Sequence, residues 1–416
     1  MQIYFERFKT CPPFFDKKIA KNTEMIVVIP CYDDDDVFLT LNSLQEAQRP
    51  KCTVEVIVVV NSAENTPENI VQKNRSVFEK LQQFYSEKKY FFELSPILIE
   101  NVPKKFAGVG NARKVGSDEA VRHFLQIGKS NGLIAGLDCD CLVAENYFTE
   151  IEKAHKQNPD IQLFTFNFQH NFDEKRFSKQ EIFACKLYEI YLRYYRIALQ
   201  ETGFSHCFHT IGSCFAVTAL AYTKVGGMPR LQAGEDFYFL HKAAQYTKNN
   251  VIMQKIVSPA PRISERVPFG TGKAVIKIIS GEKYTVYNYG LFAVLKRFFD
   301  CFTKIYDTKK VDFPLIPAEI TNYFSEEKLL KIFNEVISNS KHKEQYIKRL
   351  YTKFDAFFVV QFLNSFNNSA IFPPMEINVA VENLLKTYNI SAGKTLDENF
   401  RIIENLNDKL LNELYQ

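Results

Sequence analysis

The sequence lacks several features that would place it in a special class of protein. It has no tryptophan and five methionines in 416 residues, and its nine cysteines include no C-x-x-C pair. Neither a disulfide framework nor a zinc site is therefore indicated. No window reaches the roughly 18 uninterrupted apolar residues of a membrane-spanning helix, and the opening residues lack the apolar core of a signal peptide. From these absences we expect a cytoplasmic protein.

Net charge and chain length further limit the classes of protein to which this sequence can belong. Basic residues number 52 and acidic residues 48, a surplus too small to indicate nucleic acid as a partner. Hydrophobic residues make up 46% of the chain and charged residues 24%, as is usual for globular proteins. A chain of 416 residues is too long for one compact core, so we expect two domains.

The first half of the sequence alternates strand-like and helix-like segments. EMIVVIP (24–30) and TVEVIVVVN (53–61) are β-branched runs too apolar to have one wet face, as in sheets covered on both sides. Between them, acidic residues precede apolar residues at helical spacing, which predicts a helix. Further strands are predicted at 95–101, 131–140 and 162–168, and a further helix at 111–128. This order predicts an α/β fold whose functional crevice lies at the carboxyl ends of the strands.

Two acidic residues, Asp138 and Asp140, close the apolar run GLIAGLDCDCLV (132–143). Side chains alternate along a strand, so we expect both carboxylates to converge on one point with Cys139 turned away. Carboxylate oxygens suit a hard cation such as Mg²⁺ or Mn²⁺, which keeps places for water and for substrate phosphates. A solvated turn after a strand is the alternative interpretation of this D-x-D motif.

A second acidic pair, Glu235 and Asp236, follows Gly234 and precedes a helix-like run. Capping is the usual role of acidic residues at a helix entrance. The position of this pair, about a hundred residues after the D-x-D motif, is unusual for capping alone.

Three segments in this order, VVIPCYDDDD, GLDCDCLV and TKVGGM…AGEDFYF, resemble family 2 glycosyltransferases of the GT-A fold. The resemblance covers about residues 24–285. It implies a Rossmann-like nucleotide-sugar domain at 1–285, and the remaining residues, 286–416, would form a helical accessory domain. It also implies a hexosyltransferase-like enzyme that moves a sugar from a nucleoside-diphosphate sugar to an acceptor hydroxyl, usually with inversion, and that uses Mn²⁺ or Mg²⁺.

The resemblance also assigns residues to roles. Asp138 and Asp140 would hold the metal, Asp236 would be the general base, and Glu235 would shape the surroundings of that base. Donor-binding positions would be Pro30, Tyr32, Asn61, Arg113, Asp138, Arg262 and Arg266. One departure concerns the nucleobase: Asn61 and Ser62 stand where members of the family often carry acids, so either Glu64 substitutes or the base is recognised differently.

The cations assigned to the donor have plainer alternatives. Arg113 lies in a helix that follows two glycines, where phosphate often binds, but a surface salt bridge is equally open for it. Arg262, Arg266 and Lys273 are interleaved with proline and glycine in SPAPRISERVPFGTGKA (258–274), which predicts irregular structure. Arginine forks bind phosphates, so we favour closure over the diphosphate or binding of an anionic acceptor above a simple linker.

Other polar clusters are expected to be structural. The four acids Asp33–Asp36 repel one another and are expected to be a solvated helix start rather than a second metal site. His206 and His209 fit no standard zinc spacing and are expected to line the core or the acceptor pocket. His241 is expected to be structural, with a third metal ligand as the alternative.

Residues 286–416 contain several amphipathic segments that predict helices, at 291–310, 325–337, 343–366, 376–388 and 396–415. The first is basic and rich in phenylalanine. Packing against the catalytic domain is the favoured role of its apolar stripe. The alternative is peripheral contact with the inner face of a membrane, which would bring the enzyme to a lipid-linked acceptor.

Two functions from different classes follow from these features. The favoured one is a metal-dependent glycosyltransferase whose acceptor is an unknown carbohydrate, lipid-linked or small molecule. The other is a non-catalytic nucleotide-sugar binding protein on a degenerate GT-A domain, which the missing nucleobase acids suggest. A nucleotidyltransferase is weaker, because IPCYDDDD offers no glycine-rich phosphate loop after the first strand.

Overall fold

The computed structural model describes residues 1–87, 90–263 and 270–415 and contains two compact units. The first unit comprises Met1–Ile182 and His209–Val275, and the second comprises Phe183–Phe208 and Ile276–Leu414. Packing therefore groups a segment of the first half of the chain with the later helices. The division into domains at 1–285 and 286–416 stays a prediction.

An eight-stranded mixed sheet forms the centre of the first unit. Its strands, in chain order, are β1 (Thr23–Cys31), β2 (Thr53–Ala63), β3 (Glu93–Val102), β4 (Leu133–Gly136), β5 (Leu142–Val143), β6 (Leu163–Phe168), β7 (Phe215–Thr218) and β8 (Asn249–Ser258). Their order across the sheet is β3-β2-β1-β4-β7-β6-β8-β5. The predicted fold class, a Rossmann-like α/β domain followed by a mainly helical region, is confirmed.

Helices precede, connect or follow these strands. They are α1 (Gln2–Arg7), α2 (Val37–Glu46), α3 (Glu68–Glu87), α4 (Val109–Gln126), α5 (Tyr147–Gln157), α6 (Lys179–Glu201), α7 (Ala219–Lys224), α8 (Glu235–Tyr246) and α9 (Thr271–Ile279). Because α9 begins at Thr271, the irregular segment predicted at 258–274 is wrong over its last residues.

The parallel pairing of three strands determines at which edge of the sheet a functional site is expected. Strand β1 pairs in parallel with both neighbours, Val28 lying opposite Ile57 of β2 and Gly136 of β4. The carboxyl ends of these strands therefore meet at one edge of the sheet, and the acids that follow β1 and β4 are brought to the same place. Strand β7 pairs antiparallel with β4 and makes the sheet mixed.

Helix α4 packs unusually close to this sheet because it carries a glycine at the contact. A Cβ atom on Gly116 would lie 2.5 Å from Cγ1 of Val28 and 3.1 Å from Cγ2 of Val59. The close approach buries nearly the whole helix, including the charged side chains of Arg113 and Lys114. Buried charges of this kind need partners.

Lys114 is paired with Tyr4 of α1 and with Asp118 of its own helix. Its Nζ donates to the Tyr4 hydroxyl at 2.6 Å and lies 3.1 Å from the Asp118 carboxylate. The Tyr4 hydroxyl donates to Asp118 at 2.7 Å, and Tyr222 donates to the same carboxylate at 3.0 Å. Burial lowers the pKa of Lys114, although Asp118 opposes that effect. Helix α1 is thereby fixed to α4.

We expect Tyr4→Phe to destabilise the first unit. The substitution removes one buried partner from both Lys114 and Asp118, and groups left unsatisfied in this way typically cost about 1–3 kcal/mol. The measurement is the midpoint of unfolding in urea. Tyr246→Phe is the matched control, because Tyr246 is 54% exposed. Equal midpoints for the two variants would contradict the role given to Tyr4.

The second unit is mainly helical. Its later helices are α10 (Tyr289–Thr308), α11 (Ala318–Tyr323), α12 (Glu326–Ser338), α13 (Lys343–Lys353), α14 (Ala356–Phe366), α15 (Ile377–Thr387) and α16 (Leu396–Tyr415). A short 3₁₀ helix (Phe313–Leu315) and a two-stranded ribbon of β9 (Thr285–Val286) and β10 (Met375–Glu376) accompany them. The single helix predicted at 343–366 is two helices, because Asp355 accepts a hydrogen bond from the backbone N–H of Phe358 and begins a new one.

The apolar stripe of α10 is part of the core of this unit. Leu291, Leu295 and Phe298 are fully buried, and the ring of Phe298 lies 4.9 Å from that of Phe354. This stripe is therefore unavailable to a membrane surface. No helix in the described part of the chain is long and apolar enough to cross a membrane.

Candidate active site

The D-x-D motif lies in a turn at the carboxyl edge of the sheet. Strand β4 ends at Gly136, so the predicted alternation of side chains along a strand is wrong for Asp138 and Asp140. The turn is closed by a hydrogen bond from the Cys141 N–H to the Asp138 carbonyl oxygen at 3.1 Å. Ligand atoms of Asp138, Asp140 and Cys141 nevertheless lie within 4.8 Å of one another. The two carboxylates converge because of the turn.

Arg113 joins the D-x-D turn to the second acidic pair. One guanidinium nitrogen donates to the Asp138 carboxylate and another donates to the Glu235 carboxylate. Although burial opposes it, these carboxylates raise the pKa of Arg113 above its ordinary value. Arg113 is only 5% exposed, so the surface salt bridge considered for it is wrong.

Gly212, which no sequence pattern singled out, makes room for this arginine. A Cβ atom at that position would collide with the Arg113 guanidinium. The glycine lets the backbone before β7 lie directly against the guanidinium. A substitution there would push the arginine away from its two carboxylates.

Glu235 and Asp236 open helix α8 but differ in their surroundings. Glu235 is 1% exposed and held by Arg113, whereas Asp236 is partly exposed and accepts a hydrogen bond from the Phe237 N–H at 2.7 Å. Burial raises the pKa of Glu235 to about 7, although Arg113 opposes this rise. Burial also raises the pKa of Asp236. One guanidinium faces three carboxylates here, which favours retention of a proton.

Arg262 supplies the positive partner of Asp140. It follows β8, and its Nε lies 2.9 Å from an Asp140 carboxylate oxygen. Its two terminal nitrogens donate to the two oxygens of Asp34, one of them at 3.2 Å, and one lies 3.5 Å from Asp36. Although burial opposes this rise, the carboxylates of Asp34 and Asp140 raise the pKa of Arg262 above its ordinary value. Arg266 lies outside the described residues, and Lys273 is exposed on α9.

The expectation that Asp33–Asp36 form a solvated helix start is wrong for Asp34. Asp34 is 3% exposed and accepts a hydrogen bond from the Cys139 thiol at 3.2 Å. Helix α2 does begin directly after the four acids, at Val37. The burial of one acid among four could have been suspected only from its place just after a buried strand.

The remaining donor-binding candidates also lie at or near the carboxyl ends of β1 and β2. Pro30 is in the last part of β1, and Tyr32 follows that strand. Asn61 is 4% exposed and donates from its side-chain amide to the Gly108 carbonyl oxygen at 3.3 Å. Glu64 accepts from the Lys104 N–H at 3.0 Å. Their binding of a donor stays a prediction.

Two of the histidines considered for the site lie against aromatic rings. His209 is buried with its ring 5.2 Å from that of Phe168, and His241 lies 4.7 Å from the ring of Phe237. Within the described residues, the groups with suitable spacing for a metal are Asp138, Asp140 and Cys141, and a separate set of Glu24, Cys52 and Glu152. No histidine belongs to either group, so a third metal ligand at His241 finds no support.

The chain is distantly similar to solved structures. No family model matches the chain, and no curated protein matches it. The chain is similar to S. aureus TarS 1–349 in complex with UDP-GlcNAc, at 12% identity and a TM-score of 0.41, over 79% of this chain and 91% of that one. It is also similar to the mannosyltransferase PcManGT from Pyrobaculum calidifontis in complex with GDP-Man and Mn²⁺, at 13% identity and a TM-score of 0.38, over 98% and 92%. The second of these two structures is described as a mannosyltransferase. Identities and TM-scores this low say nothing about the activity of this chain.

The raised pKa of Glu235 gives a prediction about pH. A carboxyl whose pKa is higher in the folded protein stabilises the fold at low pH, and this contribution is lost as pH rises through about 7. We expect the stability of the wild type relative to Glu235→Gln to fall between about pH 5 and pH 8, by on the order of 1 kcal/mol or more. Unfolding midpoints of both proteins across this range provide the measurement. A difference that stays constant or grows with pH would show that Glu235 is ionised throughout.

Proposed function

We propose that this chain is a metal-dependent glycosyltransferase that moves a sugar from a nucleoside-diphosphate sugar to an acceptor hydroxyl with inversion. The observation that carries the proposal is the bridge formed by Arg113. This buried guanidinium binds Asp138 of the D-x-D turn and Glu235 of the second acidic pair at once. The Arg113 side chain therefore connects a candidate metal ligand, Asp138, to helix α8, which carries the candidate base.

The residues at this edge fit a hard divalent cation. The contacts described above join five carboxylates to the guanidiniums of Arg113 and Arg262, namely those of Asp34, Asp36, Asp138, Asp140 and Glu235. In addition, Arg176 lies 3.6 Å from Asp36, and Asp236 interacts electrostatically with Arg113. Acids therefore exceed bases. Hard cations prefer oxygen ligands to sulfur, so the carboxylates of Asp138 and Asp140, rather than the Cys141 thiol, are the ligands that we assign to the metal. When bound, Mn²⁺ or Mg²⁺ would stabilise the charge on the departing diphosphate.

Asp236 is the residue that we assign as general base. Glu235 is buried and engaged with Arg113, whereas Asp236 is the more exposed residue of the pair, so we assign the acceptor hydroxyl to Asp236. Burial raises the pKa of Asp236, which makes its ionised form a stronger base. The proton of the acceptor hydroxyl would move to Asp236 as the hydroxyl oxygen attacks the anomeric carbon. Glu235 would act indirectly, by orienting Arg113.

The donor would lie along the ends of β1 and β2. We assign Pro30, Tyr32 and Asn61 to the nucleoside side, because they lie at or near the carboxyl ends of these strands. Arg262 is assigned to the diphosphate, since it lies beside Asp140 and a guanidinium fork binds phosphate oxygens well. The role of Arg266 stays a prediction.

A non-catalytic nucleotide-sugar binding protein is the second candidate function. Asn61 and Ser62 favour it, because they replace acids that related enzymes often carry. The state of the second acidic pair argues against it. Binding alone needs no base, yet Asp236 follows Glu235, whose carboxylate Arg113 joins to the D-x-D turn.

A thermal-shift screen tests the proposal. Nucleoside diphosphates and nucleotide sugars of uracil, guanine, adenine, cytosine and thymine are offered with Mn²⁺ or with a chelator. A ligand at 100 times its dissociation constant stabilises the native state by about 2.7 kcal/mol and raises its melting temperature. We expect such a rise for one nucleotide class, and only with the metal. Equal rises in chelator, or none for any nucleotide, would contradict the proposal.

A further inference from the structure

We propose that Arg262 is a resident counter-ion in the proposed metal site, and that a divalent cation enters by displacing its guanidinium from Asp140. The proposal rests on the proposed function, because it concerns the metal assigned to Asp138 and Asp140. It adds an order of events: the metal takes the carboxylate first, and the released arginine then becomes available to the diphosphate of the donor.

The contacts of Arg262 resemble those of a bound cation. The guanidinium reaches the carboxylates of Asp34, Asp36 and Asp140, which come from two separate loops at the carboxyl edge. Asp34 is 3% exposed and holds the arginine through both of its oxygens. One positive group therefore neutralises carboxylates from the segment after β1 and from the turn after β4. A metal ion bound at this edge would do the same.

Arg262 and a divalent cation compete for Asp140. Mg²⁺ binds carboxylate oxygens at about 2.0–2.1 Å, and a guanidinium 2.9 Å from the same carboxylate would lie within a few ångströms of the ion. Two positive groups so close repel each other, and this repulsion is strong where water is partly excluded. Asp34 gives the displaced guanidinium a place to remain, because it is not one of the assigned metal ligands.

The exchange predicts opposite effects of one substitution on two ligands. Without Arg262, Mn²⁺ alone meets no competitor at Asp140 and should bind more tightly. A nucleoside diphosphate in the presence of Mn²⁺ loses its arginine fork and should bind more weakly. A residue that only supports the fold would weaken both ligands, and one that only binds phosphate would leave Mn²⁺ alone unchanged.

The first arm of the test uses Mn²⁺ without nucleotide. Free Mn²⁺ is measured by electron paramagnetic resonance during titration of the wild type and of Arg262→Gln. We expect Arg262→Gln to lower the dissociation constant by about tenfold or more, because it removes a charge in direct contact with the ligand. Lys73→Gln is the matched control. Lys73 lies 2.8 Å from Asp33 and 3.4 Å from Asp35, so the control removes an equal charge from the same acidic run without touching Asp140.

We expect the Lys73→Gln control to change Mn²⁺ affinity by less than about threefold, as is usual for an exposed pair. Unchanged or weaker Mn²⁺ binding in Arg262→Gln would overturn the proposal, and so would an equal gain in both variants. If Arg262→Gln does not fold, Arg262→Lys tests the displacement instead, because lysine keeps the positive charge but lacks the planar guanidinium that contacts Asp34 and Asp140. We then expect Mn²⁺ affinity above that of the wild type, and equal affinity would overturn the exchange.

The second arm adds UDP, GDP, ADP, CDP or dTDP at saturating Mn²⁺ and measures binding by calorimetry. We expect the affinity for the nucleotide that the wild type binds to be about tenfold lower in Arg262→Gln, which is the usual effect of losing a charge-assisted contact. Unchanged nucleotide affinity would overturn the second step of the exchange. If Arg262→Gln binds Mn²⁺ more tightly than the wild type but the wild type binds no nucleotide, the proposed function is contradicted and the displacement of Arg262 by the metal is still supported. The two failures are therefore distinguishable.

Discussion

Asp236→Asn should lower kcat for sugar transfer by at least about 10² while leaving donor affinity nearly unchanged. The asparagine keeps the shape of the side chain and can still accept from the Phe237 N–H, but it cannot take a proton. General base catalysis is typically worth about 10²–10⁴ in rate. The loss should therefore fall on kcat, with donor binding by calorimetry as the second measurement.

The control for this prediction is Asp160→Asn, whose carboxylate is 79% exposed and pairs only at the surface with Lys248. It should leave both kcat and donor affinity as in the wild type. Near-normal turnover in Asp236→Asn would remove Asp236 as the base and transfer that role to Glu235. A loss of donor affinity equal to the loss of kcat would instead make Asp236 part of the donor site.

Asp140→Ala should abolish Mn²⁺-dependent binding of the donor while the fold survives. The substitution removes one of the two carboxylates assigned to the metal, and Arg262 keeps Asp34 as a buried partner. Calorimetry with donor, in Mn²⁺ and in chelator, measures the effect, and the unfolding midpoint checks the fold. Donor affinity equal to that of the wild type in both conditions would remove the D-x-D turn from the metal site.

Local patterns were sufficient to predict the elements that position this site. The strands β1 and β2 are buried along nearly their whole length, so their β-branched runs are visible in the sequence without knowledge of their neighbours. Helix α8 was likewise predicted to follow Gly234, whose φ of 76° lies in the left-handed region that favours glycine. Asp138, Asp140, Glu235 and Asp236 were found because they interrupt or border such runs.

The partners of these acids could not be predicted from local patterns. Arg113 and Glu235 are 122 residues apart, and Arg262 and Asp34 are 228 residues apart. Such pairs depend on the order of strands in the sheet, which no period in the sequence reveals. The metal was the positive partner expected for the D-x-D motif, whereas the structure shows two arginines in contact with it.

The same dependence on distant partners explains where the structure departs from the sequence-based predictions. Asp34 was expected to be solvated because its three neighbours are acidic, but its burial depends on Arg262 and Cys139. The strand predicted to carry Asp138 and Asp140 ends at Gly136, because its partner β7 begins at Phe215, directly opposite Gly136. Gly212 was missed because its only distinctive property is the guanidinium that lies against it.

The most direct measurement is the release of nucleoside diphosphate from a nucleotide sugar by the purified chain, with a panel of acceptors and with water alone. We predict release that requires Mn²⁺ or Mg²⁺, is lost in chelator, and falls by at least about 10² in Asp236→Asn. A wild-type protein that binds the donor in the presence of metal but releases no nucleoside diphosphate with any acceptor would contradict a glycosyltransferase and establish a binding protein.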